Sequence, residues 1–316
     1  MVKKYQDPGQ YIDLGFFVWP ISKEGYYIAQ EAKTDVFYKM RIMVNSQGKD
    51  LGEEKGPFVI EKAETTEYLI SKPLEESPSL FLDFAELDGL EENMLRFANQ
   101  YGLLFREITL ESAPQTKSVF GDRLSLWQRE HRELKNAVEL WKWIKKKNTE
   151  KLNLVITWHD NNKTIKYVFG SEDKIKAYRK EGITKDGLFG LELGILASAE
   201  EPELNTHLLS RIVPGDVIIP AQIVLQRIMN KKLQQYPVWP KLLLDKDKNL
   251  RQYLYPENLL SAMWFQFFQA VSGEKKYKKC EVCNKWEDVT DKRSSWAMHP
   301  NCAARERMRR RREKEE

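Results

Sequence analysis

All three cysteines of this 316-residue chain fall within its last 37 residues, in an order that suits a metal ion. They read Cys280-Glu281-Val282-Cys283, then a polar stretch, then His299-Pro300-Asn301-Cys302. A structural Zn2+ takes four tetrahedral ligands from thiolate sulfur and imidazole nitrogen, and C-x2-C followed by H-x2-C supplies four. Two residues between Cys280 and Cys283 make a tight knuckle that turns both sulfurs toward one ion. His299 and Cys302 stand three apart and so share a face if the chain is helical there. His299 is the weakest of the four, with Asp288, Asp291 or a water as alternatives in the fourth position. The stretch between the pairs has room for a short hairpin, 286–289 and 294–296 about a turn near Asp291-Lys292. Knuckle, hairpin and helix together describe a treble-clef finger around a structural zinc.

Buried cysteine also behaves as a small hydrophobe, but the clustering and the polar neighbours Glu281, Asn284 and Lys285 argue for metal. An odd cysteine count, with no apolar signal run in the first residues, argues against a Cys280–Cys283 disulfide and for a reducing, cytoplasmic compartment.

The knot opens into Arg305, Arg307, Arg309, Arg310, Arg311 and Arg312. Residues 274–316 hold 14 Lys and Arg against 9 Asp and Glu, while the preceding residues hold 37 and 38. The chain's net charge of +4 therefore belongs to the tail, and the body is no polyanion binder by bulk charge. Guanidinium pairs bidentately with phosphate and with guanine edges, which makes these six arginines the candidate nucleic-acid contacts, with DNA favoured over RNA. Glu306 and the acidic residues from Glu313 onward dilute the helix, and four consecutive arginines wrap around it.

The run Cys280-Glu281-Val282-Cys283-Asn284-Lys285-Trp286 through Arg293-Ser294-Ser295-Trp296-Ala297-Met298-His299-Pro300-Asn301-Cys302-Ala303-Ala304-Arg305 resembles a CGNR-type zinc finger. That finger stands at the C-terminus of bacterial proteins regarded as transcription regulators. The shared features are Trp286 after the knuckle, Trp296 six residues before the last cysteine, and a final cysteine leading into a basic helix. Where the family has a cysteine directly after the position of Trp296, this chain has Ala297. The Cys-Gly-Asn-Arg signature reads Cys302-Ala303-Ala304-Arg305. The resemblance covers about 40 residues and leaves His299 as the natural replacement ligand. Upstream, residues 97–104 and 256–273 resemble uncharacterised bacterial proteins that carry the same finger, which implies a family but no activity.

For the remainder the pattern predicts an α+β protein: a mixed N-terminal and central β/α body, a helical C-terminal section and the small finger. The expected segments are 1–115, 116–273 and 274–316. Aromatic and β-branched runs broken by glycine predict strands at 11–19, 26–29, 36–44 and 58–60. Helices are expected at about 77–87, opened by Ser77-Pro78, and at 91–101, closed by Gly102. Leu124, Trp127, His131, Leu134, Val138 and Trp141 recur by three and four, laying a stripe along a helix over about 122–147, with His131 a core or interface residue. A hairpin is expected from 152–158 and 164–169 about Asp160-Asn161-Asn162-Lys163. Further helices are expected at 173–180, 216–235 and 256–273, the last broadly apolar and therefore buried on several sides. Glycines over 182–194 mark turns, since no Gly-Lys-Ser/Thr follows them.

His131, His159, His207 and His299 are scattered, and no HExxH, GxSxG, Walker or dinucleotide motif is present. With every cysteine in the finger no thiol nucleophile remains, so enzyme activity is not expected. Acid clusters at Asp83, Glu86 and Asp88 and at 200–203 read as solvated faces. The leading expectation is a zinc-containing, nucleic-acid-binding regulatory or accessory protein. The alternatives are a protein-interaction component of a toxin–antitoxin or phage-defence assembly, and an enzyme with an unrecognised site. The most apolar helical stretch, 262–271, is too short and too interrupted by Gln266 and Gln269 to span a bilayer.

Overall fold

A computed structural model describes residues 17–30, 56–62, 65, 67–106, 108–111, 118–159, 164–169, 189–194, 213, 215–244, 248–273, 275–293 and 295–315. In chain order the elements are β1 (Trp19–Ser22), β2 (Tyr26–Ala29), β3 (Phe58–Glu61), β4 (Tyr68–Ser71), α1 (Pro73–Glu76), α2 (Leu80–Ala85) and α3 (Glu91–Tyr101). There follow β5 (Ile108–Glu111), β6 (Ser118–Arg123), α4 (Leu124–Lys145), α5 (Thr149–Val155), β7 (Ile156–His159), β8 (Thr164–Phe169), β9 (Phe189–Gly194) and α6 (Ile218–Gln235). The last are β10 (Val238–Leu244), β11 (Leu250–Pro256), α7 (Leu259–Ser272), β12 (Tyr277–Lys279), β13 (Trp286–Asp288) and α8 (Pro300–Glu315). The mixture is α+β, as expected. Contacts gather the chain into two units, Met1–Arg132 with Leu233–Glu316, and Glu133–Lys232. This division is discontinuous, unlike the three consecutive segments read from the sequence.

The first unit holds a four-stranded antiparallel sheet in the order β2-β3-β6-β5, with separate pairs β1–β4, β10–β11 and β12–β13. Its helical core is aromatic. Phe84 and Phe97 both meet Trp127 edge-on and lie tilted against each other, and Phe81 stacks on Phe267 of α7. Each such ring contributes about 1.5–3 kcal/mol by leaving water. α7 is buried on several sides, as its composition predicts. Gln266 within it is no defect: its carbonyl accepts Phe81 N–H and its amide donates to Ser77 O, which satisfies the backbone at the start of α2. Gly102 closes α3 at φ 89°, and a Cβ there would sit 2.9 Å from Pro20 O, so glycine is required twice over. His131 is a core residue, its Nε2 2.9 Å from Leu87 O.

Two buried acids stand on the central strands of the four-stranded sheet, Glu61 on β3 and Asp122 on β6. Asp122 accepts the N–H groups of Phe105 and Arg106 and the indole N–H of Trp127, at 2.9–3.1 Å. Burial pushes its carboxyl up to about 6 against the pull of these donors. They hold Arg106 at φ 56°, where its guanidinium lies over Phe120 and Tyr68 and 3.3 Å from the buried carboxylate of Glu61. On α2, burial aided by the neighbouring Glu86 charge raises Asp83 to about 6, although Tyr101 O–H donates to it. The native protein therefore holds this proton more tightly than the unfolded chain. The stability it contributes is complete below the ordinary carboxyl range and is lost as pH rises through 6. Asp83→Asn, which still accepts from Tyr101, is expected to raise the urea midpoint at pH 7.5 and to shrink the difference from wild type toward pH 4.5.

The second unit packs the three-stranded antiparallel sheet β7-β8-β9 with α5 and the adjoining parts of α4 and α6. Trp143 stacks on Phe169, and Lys232 pairs with Glu133 at 2.6 Å. Asp216 Oδ1 accepts Ile218 N–H and caps α6.

Several expectations change. The first helix after β4 opens at Pro73 and α2 only at Leu80, so Ser77-Pro78 lies between helices rather than opening one. Residues 152–155 are helical because Asn148 caps α5 by accepting Lys151 N–H, which shortens the expected strand to β7. Pro256 ends a strand, and α7 is opened by Asn258, which accepts Ser261 N–H. The ribbon β10–β11 was not anticipated, since Pro240 faces Leu254 within it and proline argues against a strand. β1 lies just beyond most of the expected strand at 11–19. Its first six residues, the strand at 36–44, the helix at 173–180 and the acid cluster at 200–203 fall outside the described residues. No described helix is long and apolar enough to cross a membrane.

Candidate metal centre

The knuckle forms the turn of the hairpin β12–β13, with Lys279 opposite Trp286. The expected pairing of 286–289 with 294–296 is not seen among the described residues, which leave out 294; β13 pairs backward with β12, across the knuckle. Asn284 at φ 56° completes the turn, its N–H donating to Cys280 O, while Cys280 N–H donates to Lys285 O. Glu281 N–H donates to Ala297 O and ties the knuckle to the approach of α8. Cys302 lies in the first turn of α8, one turn along from His299.

Cys280, Cys283, His299 and Cys302 thereby bring one ligand atom each to within 4.8 Å of one another, close enough to hold one metal ion. His299 Nδ1 is 3.4 Å from Cys283 Sγ and 4.0 Å from Cys302 Sγ. A tetrahedral ion with bonds of about 2.3 Å to sulfur and about 2.0 Å to nitrogen places such atoms about 3.6 Å apart. His299 Nδ1 thus lies where a fourth ligand would stand. Asp288, the alternative, is engaged elsewhere: it accepts from Thr290 N–H and pairs with Lys275 at 3.0 Å. Asp291 is exposed and outside the cluster. Among the described residues this is the one group of three or more such side chains so arranged.

Polar neighbours prepare the ligands. Glu287 Oε2 accepts from His299 Nε2 at 2.9 Å and also pairs with Lys292. This fixes the tautomer: the proton sits on Nε2 and the Nδ1 lone pair faces the sulfurs. Burial pushes the Glu287 carboxyl up, but these two hydrogen bonds leave it below its ordinary value. Burial also pushes the Cys280 thiol up, yet the N–H groups of Cys283, His299 and Val282 outweigh it and bring it down to about 6. Burial and the neighbouring sulfurs raise Cys302, to which Arg305 donates at 3.7 Å. Glu287→Ala is expected to weaken the cluster's affinity for a metal ion about 10–100-fold, read with Zn2+ as the probe in a competition titration against a chromophoric chelator. No local spacing announces Glu287; its role comes from the β12–β13 pairing.

The finger is seated on the body rather than tethered. Tyr277 O–H donates to Pro78 O, its ring meets Phe81 edge-on, and Lys279 pairs with Glu86 at 2.8 Å.

The six candidate contact arginines share α8 but not one environment. Arg309 pairs with Glu306 and Glu313, Arg310 pairs with Glu306, and Arg305 turns toward Cys302. Arg307, Arg311 and Arg312 are exposed and have no carboxylate partner among the described residues. The pairings of Glu306 were legible in its spacing of three and four from Arg309 and Arg310.

In comparisons by sequence and by fold, no family model, no curated protein and no solved structure matches this chain.

Proposed function

We propose that the chain is a nucleic-acid-binding regulatory or accessory protein in which a structural zinc fixes an arginine-bearing helix for contact with phosphates. One observation carries this reading: Cys302 sits in the first turn of α8, and the arginines occupy the exposed turns that follow. The metal would clamp the root of the helix and leave its length to solvent. Three sulfurs and one imidazole form a soft, tetrahedral donor set, which favours Zn2+ over the hard cations. With all four ligands from protein the site would be closed and structural. The resemblance to CGNR-type fingers agrees with this reading, and with a treble-clef type of finger.

The test is fluorescence anisotropy of the zinc-loaded chain with labelled nucleic acids over a series of salt concentrations. Binding that weakens steeply with salt and disappears in a strong chelator is expected. Salt-independent binding, or none at low salt, would refute the reading. A protein partner is the second reading and draws on another surface. The ribbon β10–β11 leaves Leu242, Leu244 and Leu250 more than half exposed on one of its faces, apolar side chains of the kind partners cover.

A further inference from the structure

The carboxylates on α8 divide its arginines between two faces. At about 100° per residue, Glu306, Arg309, Arg310 and Glu313 fall within an arc of about 100°. Arg307, Arg311 and Arg312 fall within an arc of about 140° centred on the opposite side. The first arc continues the side that carries Cys302, and its charges are matched by the ion pairs of Arg309 and Arg310. The second arc carries three exposed cations, Arg307, Arg311 and Arg312, together with Ala304, Met308 and, at the end of the helix, Glu315, so three positive charges stand there against one negative. Four consecutive arginines thus present one neutralised face and one cationic face.

The shape of this element selects the polyanion. Met308 is 58% exposed, and the side chains of Arg309 and Arg310 are 60% and 67% exposed, although they point in three directions around the axis. Beyond its first turn α8 therefore stands clear of the finger as a rod. An α-helix with its side chains is about 10–12 Å across, and the major groove of B-form DNA, about 12 Å wide, admits one. The major groove of A-form RNA is deep and narrow and excludes it. Single strands are gripped by stacking on aromatic rings, and α8 has none. A protein groove would need apolar anchors repeating by three and four, but from Arg305 onward Met308 is the lone apolar side chain.

Building on the nucleic-acid reading above, we infer that α8 enters the major groove of duplex DNA with its Arg307, Arg311 and Arg312 face. Glu306 and Glu313 hold Arg309 and Arg310 back from the contact. Arg305, donating to Cys302 Sγ, stays at the root of the helix.

Two double variants of equal charge change separate position from net charge: Arg307→Ala with Arg311→Ala, and Arg309→Ala with Arg310→Ala. The probes are a fluorescein-labelled DNA duplex of about two helical turns, the RNA duplex of the same sequence, and one DNA strand alone. Zinc content and helical circular dichroism of each full-length variant identify any loss of fold. The first pair is expected to weaken DNA-duplex binding at least about 30-fold and to flatten the salt slope by about 1.8, two phosphates at about 0.9 each. The second pair is expected to cost less than about fivefold, and Glu306→Gln, which releases both arginines, to tighten binding. The wild type is expected to prefer the DNA duplex by at least about tenfold over both other probes. Equal losses from the two pairs, weaker binding by Glu306→Gln, or tighter binding of single-stranded DNA or duplex RNA overturns the inference and leaves the nucleic-acid reading standing. Failure of the zinc-loaded wild type to bind any of the three overturns both.

Discussion

Treating the full-length protein with excess strong chelator is expected to unfold residues 280–315 while the sheets and helices upstream keep their structure. Little besides a metal holds this segment. β12 and β13 are three residues each, and an isolated two-stranded pair is marginal in water. α8 has 16 residues but no apolar face past its first turn, so packing does not nucleate it. Its intrahelical ion pairs are exposed and contribute little. Structural zinc in isolated fingers supplies about 10–16 kcal/mol of apparent binding free energy near neutral pH, and that energy drives folding. The expected readings are loss of about one helix of circular dichroism and rapid amide exchange confined to 280–315, both reversed by zinc. Cys283→Ser is expected to reproduce the unfolded segment at ordinary zinc concentrations. Metal-free protein that retained slow exchange in α8 would show that the knot is held by packing instead.

Asp122→Ala is expected to be the most damaging single change in the body, at about 4 kcal/mol or more. It strands three donors at once, the buried Phe105 N–H and Trp127 Nε1–H and the half-buried Arg106 N–H. Each costs about 1–3 kcal/mol when left unsatisfied away from water. The loss also frees Arg106 from its left-handed conformation, and with it the ion pair to buried Glu61. Denaturant unfolding followed by far-ultraviolet circular dichroism checks this. A loss below about 1 kcal/mol would mean that the three donors find other partners.

Elements whose signals are local were legible in the chain. Tyr26–Ala29, Glu91–Tyr101 with Gly102, and Thr164–Phe169 stand where alternation, glycine and helical spacing put them. The three cysteines of the cluster were legible for the same reason, with His299 the favoured fourth member: a knuckle and a pair one helical turn apart are short-range geometry. Elements whose signals are distant or masked were not. β4 is made by pairing with β1, and β12 by pairing backward with β13. β10 tolerates Pro237 before it and Pro240 within it because β11 supplies a register in which Pro240 faces Leu254. β1 and β4 lie far apart in the chain, while the two ribbons are local but masked, one by its prolines and the other by strands of three residues each.

The sequence by itself determined which atoms can bind a metal, where the positive charge lies and which helix carries it. Ligand chemistry, charge and helical spacing belong to residues and their near neighbours. Only the tertiary structure decided that His299 rather than Asp288 completes the cluster, that Glu287 sets its tautomer, and that Tyr277 and Lys279 seat the finger on α2. Those outcomes depend on which backbone segments pair across a turn, and so on free energies shared by residues far apart in the chain.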